Sequence, residues 1–187
     1  AVISADKMNV VYRGVDNPMT ISIPGIPDSK VRASATGLKR KKGSKYVLKP
    51  AGGREISIKA SGTLPDGKTV STITKFRIKD LPPPSGVVAG QPGKVSIPKS
   101  ALANQKISAM FEDFDFDLPV RVVGFTISIP GLPDVIVAGD RFDDKAKRNL
   151  RSARSGSKVI ITDIKVQAVG NKKLQLSKCR DVIVQII

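Results

Sequence analysis

The chain has no histidine, no tryptophan, one cysteine and two tyrosines in 187 residues. Without histidine, the commonest general base and the commonest transition-metal ligand are missing. Ser-His-Asp and Cys-His chemistry are therefore excluded within the chain, and a zinc site is disfavoured. The single thiol, Cys179, cannot form an internal disulfide, which argues against a small disulfide-stapled module and suits cytosol or periplasm. No apolar run approaches the roughly 20 residues that carry a helix across a bilayer. The opening AVISADKMN lacks the charged and apolar regions of a signal peptide and starts directly in strand-like sequence. A longer parent chain, with any leader or anchor elsewhere, is expected. Acids are scarce as well: 16 against 32 Lys and Arg, a formal net charge of +16. That excess suits an anionic partner (nucleic acid, anionic lipid, acidic sugar or acidic protein) or an ordinary solvated basic surface.

What is present is strand-forming. Hydrophobic residues make up 40% of the chain, mostly Val and Ile, so it is not a disordered composition. Sixteen Gly and thirteen Pro punctuate it at short intervals, the pattern of many short strands joined by turns. The clearest boundary is KDLPPPSG, Lys79 to Gly86. Three consecutive prolines lock an extended backbone that fits neither a central strand nor a helix, so residues 82–86 read as a stiff Pro-rich linker. Residues 1–82 carry a net charge of +10 and residues 83–187 one of +6.

Residues 1–81 read as an immunoglobulin-like β-sandwich. MNVVYRG, PMTISIP, KVRASA, KYVLKP, REISIKASG and TVSTITKFRIK alternate as strands. LPDGK between the last two is a hairpin signal, because Asp66-Gly67 tolerates positive φ. About seven short strands with frequent turns fit such a sandwich. Residues 87–187 read as a second, β-rich domain with one helix near 141–154. There Phe142, Ala146, Leu150 and Ala153 recur on one helical face. Asp143 and Asp144 open that helix, Arg151 and Arg154 lie near its end, and Gly156 is placed to close it. The whole is mostly β.

Two phrases repeat almost letter for letter: TISIPGIPD at Thr20–Asp28 and TISIPGLPD at Thr126–Asp134, 106 positions apart. The flanking sequence does not repeat, so domain duplication and convergence on one strand-and-turn pattern both stay open.

Two constellations carry charge. FEDFDFDLP puts Phe114, Phe116 and Leu118 on one face of an extended chain and Asp113, Asp115 and Asp117 on the other. Three carboxylates at this spacing suit calcium, an edge strand whose acids meet cations of a neighbour, or a partner surface. The glycine and distal glutamate of an EF-hand loop are missing from the register. LKRKKGSK gathers Lys39, Arg40, Lys41, Lys42 and Lys45 around a glycine, either a grip for phosphate or acidic protein or a solvated hairpin loop. Lys145, Lys147, Arg148, Arg151 and Arg154 add a basic helix surface. Aromatics are only 4%, too few for the stacking platforms of nucleic-acid readers, so no nucleic acid is expected. No P-loop signature and no catalytic set is present, and no enzyme activity, cofactor or metal is expected.

VVYRGVDNPMTISIPGIP (Val10–Pro27), TLPDGK, TKFRIKDLPPP and FEDFDFDLPVRVVGFTISIPG together resemble the C-terminal periplasmic part of the GldM/PorM family of type IX secretion and gliding-motility machinery. The resemblance spans both domains. It implies a parent protein anchored in the inner membrane by a helix outside this chain and paired there with GldL/PorL as a proton-driven motor. It further implies a homodimeric periplasmic shaft whose tip touches the GldK/GldN (PorK/PorN) ring beneath the outer membrane. The family carries no catalytic residue in this region. The alternative from the residues alone is a tandem immunoglobulin-like adhesin or polyanion-binding module using Lys39 to Lys45.

Overall fold

The computed structural model describes residues 9–114 and 116–187. Two compact units divide after Leu81.

Among its described residues the first unit has seven strands: β1 (Val10–Tyr12), β2 (Asn17–Thr20), β3 (Arg32–Ser34), β4 (Leu38–Lys42), β5 (Lys45–Leu48), β6 (Glu55–Thr63) and β7 (Thr69–Lys79). They form a four-stranded sheet, β1-β7-β6-β3, and a three-stranded sheet, β2-β5-β4. β1 runs parallel to β7, and every other pairing is antiparallel. Val11, Ile58 and Ile78 of the larger sheet meet Leu48 of the smaller in one buried cluster, so the two sheets close as an immunoglobulin-like sandwich. The LPDGK hairpin forms as its residues dictate: Gly67 takes φ +85° and donates to the Leu64 carbonyl at 2.9 Å. Asn17 is polar and fully inside. Asn17 accepts from Tyr12 N at 2.7 Å and donates to the carbonyls of Tyr12, Val15 and Leu48 at 2.8–3.1 Å, tying the β1–β2 turn to β5.

The second unit adds β8 (Ser85–Val88), β9 (Gln91–Pro92), β10 (Lys94–Ile97), helix α1 (Lys99–Ala103), β11 (Ser108–Met110), β12 (Val120–Ser128), β13 (Val135–Ala138), helix α2 (Asp144–Ser152), β14 (Lys158–Ala168) and β15 (Val182–Ile186). A five-stranded sheet, β10-β15-β14-β12-β13, lies with a three-stranded one, β11-β8-β9. Phe125, Ile127, Val159, Ile161, Val182 and Val184 of the large sheet pack with Val88 of the small sheet, Leu102 of α1 and Leu150 of α2 in one continuous core. Asp163, at φ +47°, sits where the β12–β14 register shifts past Gly124, the two-against-one spacing of a β-bulge.

Several expectations change. Of residues 82–86, read as linker, Ser85 and Gly86 lie within β8 and are buried. Gly86 N donates to the Arg180 carbonyl and Arg180 N to the Pro84 carbonyl. A Cβ on Gly86 would stand 2.3 Å from Ile164 Cδ1, so the glycine after the prolines is required by packing. The helix, Asp144–Ser152, is shorter than the expected 141–154. Asp143 is its N-cap, accepting from Ala146 N at 2.7 Å. It stops at Ser152 because Ala153 turns extended, and Lys99 Nζ donates to the Arg151 and Ala153 carbonyls there. Arg154 and Gly156 therefore fall beyond it. The five-residue α1, anchored by the fully buried Leu102, is too short for a periodicity to announce it.

The repeated nonamer has a local answer. Ile26 N donates to the Ile23 carbonyl at 3.1 Å with Gly25 at φ +81°, and Leu132 N to the Ile129 carbonyl at 3.0 Å with Gly131 at φ +80°. Proline then glycine at the centre of each turn is the type II requirement. The same turn follows a strand at the margin of the small sheet in one unit and the interior strand β12 in the other.

Candidate partner-binding surfaces

Lys39, Arg40, Lys41 and Lys42 lie on β4, not in a loop. Pairing of Leu38, Lys39 and Arg40 with Leu48, Val47 and Tyr46 draws them into the ladder, and only Gly43 and Ser44 connect to Lys45 at the start of β5. β4 is the outer strand of its sheet. Lysines on such an edge repel an incoming strand and keep the unpaired backbone from templating aggregation. Arg40 is engaged within the unit. Its Nε donates to the Gly43 carbonyl at 2.9 Å, one terminal nitrogen to Asp28 O at 2.5 Å and the other to Val31 O at 3.5 Å. Its guanidinium stands 5.6 Å from the centre of the Tyr46 ring. Lys45 Nζ donates to Thr20 Oγ1 at 3.0 Å. All five cations are exposed; Lys39, Lys41 and Lys42 form no ion pair among the described residues.

The FEDFDFD segment does not form the expected strand with acids on one face. Glu112 and Asp113 form a turn, with Asp113 at φ +51°, which breaks the alternation after β11. Phe111, Phe114 and Phe116 come together, with ring centroids 5.2 and 5.1 Å apart, and all three are half-buried. They border a concavity of about 330 Å³ that Met110, Leu118 and Val120 complete. Glu112 meets Arg180 at 3.2 Å, whereas Asp113 and Asp117 form no ion pair among the described residues. Asp115 lies outside the described residues. The Glu112–Arg180 pair joins positions 68 apart in sequence, so spacing alone did not show it. Half the chain's six phenylalanines fall within Phe111–Phe116, and that was the signal available.

The basic helix residues Lys145, Arg148 and Arg151 are exposed on α2, a solvated face over the apolar Ala146 and Leu150. A second concavity, about 420 Å³, lies beside the bulge between Ile136 and Asp163; Asp163 is paired with Lys178 at 3.3 Å. Among the described residues no group of three His, Cys, Asp or Glu is placed to hold a metal ion. No described helix is long and apolar enough to cross a membrane.

No curated protein matches the chain. Among solved structures, fibronectin(III)-like modules of Clostridium thermocellum CbhA match at TM-score 0.30 and 15% identity, covering 94% of this chain and 87% of that one. Mouse protocadherin-24 EC1-3 matches at 0.26 and 12%, covering 94% and 72%. Mouse clustered PcdhgC3 EC1-3 matches at 0.25 and 13%, covering 96% and 66%. TM-scores this low carry no argument. The family comparison is of another kind. The model of the GldM third domain matches residues 1–79, and that of the GldM C-terminal domain matches residues 82–186. The two matches run consecutively, one over each unit, and on them the chain belongs to the GldM family of gliding and type IX secretion components.

Proposed function

We propose that this chain is the periplasmic, partner-docking part of a type IX secretion and gliding motor, and that its β units transmit force by binding the GldK/GldN (PorK/PorN) ring beneath the outer membrane. The observation that carries the reading is the consecutive match of the third and C-terminal GldM domains over residues 1–79 and 82–186. Two features support it. Sheet-built units with dense cross-strand bonding resist deformation better than loops do. The concave surface at Met110–Val120 combines partly buried apolar side chains with the Asp117 carboxylate, a mixed composition suited to protein contact. On this reading the membrane anchor and the contact with GldL/PorL belong to segments outside this chain, and the working unit is a homodimer. Family membership does not favour the adhesin or polyanion-binding alternative.

The test is co-purification of the tagged chain with the ring proteins from a strain that lacks the native protein, beside the full-length protein as reference. Retention of the ring on this chain is the expected outcome. Retention by the full-length protein alone would place the docking function elsewhere and end the proposal.

A further inference from the structure

The feature that the fold does not account for is the aromatic cluster at Phe111–Phe116. Phenylalanine rings that stack on one another ordinarily do so inside a core, as Phe125 and Phe142 do at 5.3 Å, edge to face. Phe111, Phe114 and Phe116 stack at the surface and stay only partly buried, with Met110 beside them 43% exposed. The ring area that stays in water forgoes the transfer free energy that its burial would supply. A contiguous apolar patch rimmed by polar groups marks a contact surface.

The rim decides which partner fits. The described residues from Ile107 to Val120 include three acids, Glu112, Asp113 and Asp117, and no Lys or Arg, in a chain with twice as many bases as acids. Arg180 neutralises Glu112. Asp113 and Asp117 are exposed and lack an ion pair among the described residues. Resting on the docking function above, we infer that the groove bounded by Phe111, Phe114, Phe116, Met110 and Leu118 takes a segment of an unlike protein in which a bulky apolar side chain adjoins Lys or Arg. The apolar side chain enters the concavity. The cation lies against Asp113 and Asp117 and over the face of a phenylalanine ring.

Two other occupants fit less well. An anionic lipid surface would meet the carboxylates and be repelled. A second copy of this chain brings +16 of like charge, which opposes self-association.

The experiment uses the whole 187-residue chain, the purified ring proteins as probe, and three variants whose folding is verified by circular dichroism: F114A/F116A, D113K/D117K and the control K39E/K42E. Dissociation constants are measured at about 50 and 300 mM salt, where exposed charge pairs differ in screening. Expected are a roughly tenfold or greater weakening for each of the first two variants, a loss of salt sensitivity in D113K/D117K, and a change within about threefold for the control. Unweakened binding by both groove variants, or a loss no larger in them than in the control, overturns the inference while leaving ring docking intact. Self-association of the wild-type chain that F114A/F116A abolishes also overturns it, in favour of a second copy. A wild-type chain that binds no ring protein removes the docking function itself, and this inference with it.

Discussion

The first unit closes around Val11, Leu48, Ile58 and Ile78, whereas the second buries a continuous cluster of twenty-one residues that reaches from both sheets to both helices. A fully buried aliphatic side chain contributes about 1.5–3 kcal/mol, so the first unit has far less apolar burial to set against chain entropy. It fixes its fold through backbone-directed polar groups instead. Asn17 accepts once at its oxygen and shares its two amide hydrogens among three carbonyls. Arg40 ties Asp28, Val31 and Gly43. Gly37, at φ +79°, lies where a Cβ would stand 2.4 Å from the Lys49 carbonyl. Among its described residues the second unit buries one polar residue, Ser85, and relies on packing. Two sheet-built units in one chain thus illustrate two ways of specifying a fold: many interchangeable apolar contacts, or a few irreplaceable polar ones.

The comparison breaks most easily at the centre of the second unit. Phe125 is 2% exposed and meets Phe142 edge to face. Phe125→Ala should cost about 3–5 kcal/mol, because removing a ring from a rigid core leaves a cavity as well as lost transfer energy. Chemical denaturation measures it. A loss below about 1 kcal/mol would mean that this core collapses to fill the gap and is not specified by packing.

The polar half of the comparison stands on Asn17. Asn17→Ala removes the side-chain acceptor of Tyr12 N–H and the two amide hydrogens shared among the Tyr12, Val15 and Leu48 carbonyls. At roughly 1 kcal/mol per bond, the expected cost is about 2–4 kcal/mol. Hydrogen exchange localises it: peptides holding Tyr12 and Leu48 should exchange on the order of 10²-fold faster, with those of β12 and β14 unchanged. Equal acceleration in both units would deny that Asn17 acts locally.

The same division explains what the sequence could tell. Features written in neighbouring residues were legible: the alternation of β6 and β7, the Asp66-Gly67 turn, the Asp143 cap and the apolar face of α2. Features that need a distant partner were not. Nothing in LKRKKGSK says that Tyr46 and Leu48 will draw it into a ladder and that Arg40 will turn back on Asp28. Nothing in FEDFDFDLP says that Asp113 takes a positive φ and gathers the phenylalanines on one side; alternation is a pattern strands share with turns that merely interrupt them. Three prolines signal a stiff segment, but Ser85 and Gly86 join β8 because residues near Arg180 supply the missing hydrogen-bond partners. The partner-binding candidates Asp113 and Asp117 were legible as an unusual cluster, and the groove beside them only as an excess of phenylalanine.

A smaller effect tests how apolar the second core is. Cys179 is 3% exposed. Burial first, and the neighbouring Asp181 charge second, push its thiol up from 9.0 to about 11. Below pH 9 the thiol is neutral in both states and its contribution is complete. Between pH 9 and 11 the unfolded chain releases the proton and the folded chain holds it. The unfolded state then binds fewer protons, and stability falls as pH rises. The stability gap between wild type and Cys179→Ala should therefore shrink by on the order of 2 kcal/mol from pH 8 to pH 11. A gap that stays constant would mean that Cys179 ionises as easily folded as unfolded, and that this part of the core admits water.

The smallest expected effect bears on the first unit and sharpens its contrast with Asn17. Tyr46 on β5 is 4% exposed, and its hydroxyl has no hydrogen-bond partner among the described residues. A buried hydroxyl without a partner is a cost, not a tie. The Arg40 guanidinium over the ring needs only the π face, which phenylalanine also offers. Tyr46→Phe should accordingly leave stability within about 0.5 kcal/mol of wild type or raise it slightly, since it removes the polar atom and keeps the shape. Asn17→Ala and Tyr46→Phe each delete a buried polar group of the same small sandwich, yet the first should be costly and the second nearly silent. A loss above about 1 kcal/mol on Tyr46→Phe would reveal a bonded hydroxyl, through an ordered water bridging it to the backbone, and would extend the polar framework of this unit from Asn17 to the opposite side of β5.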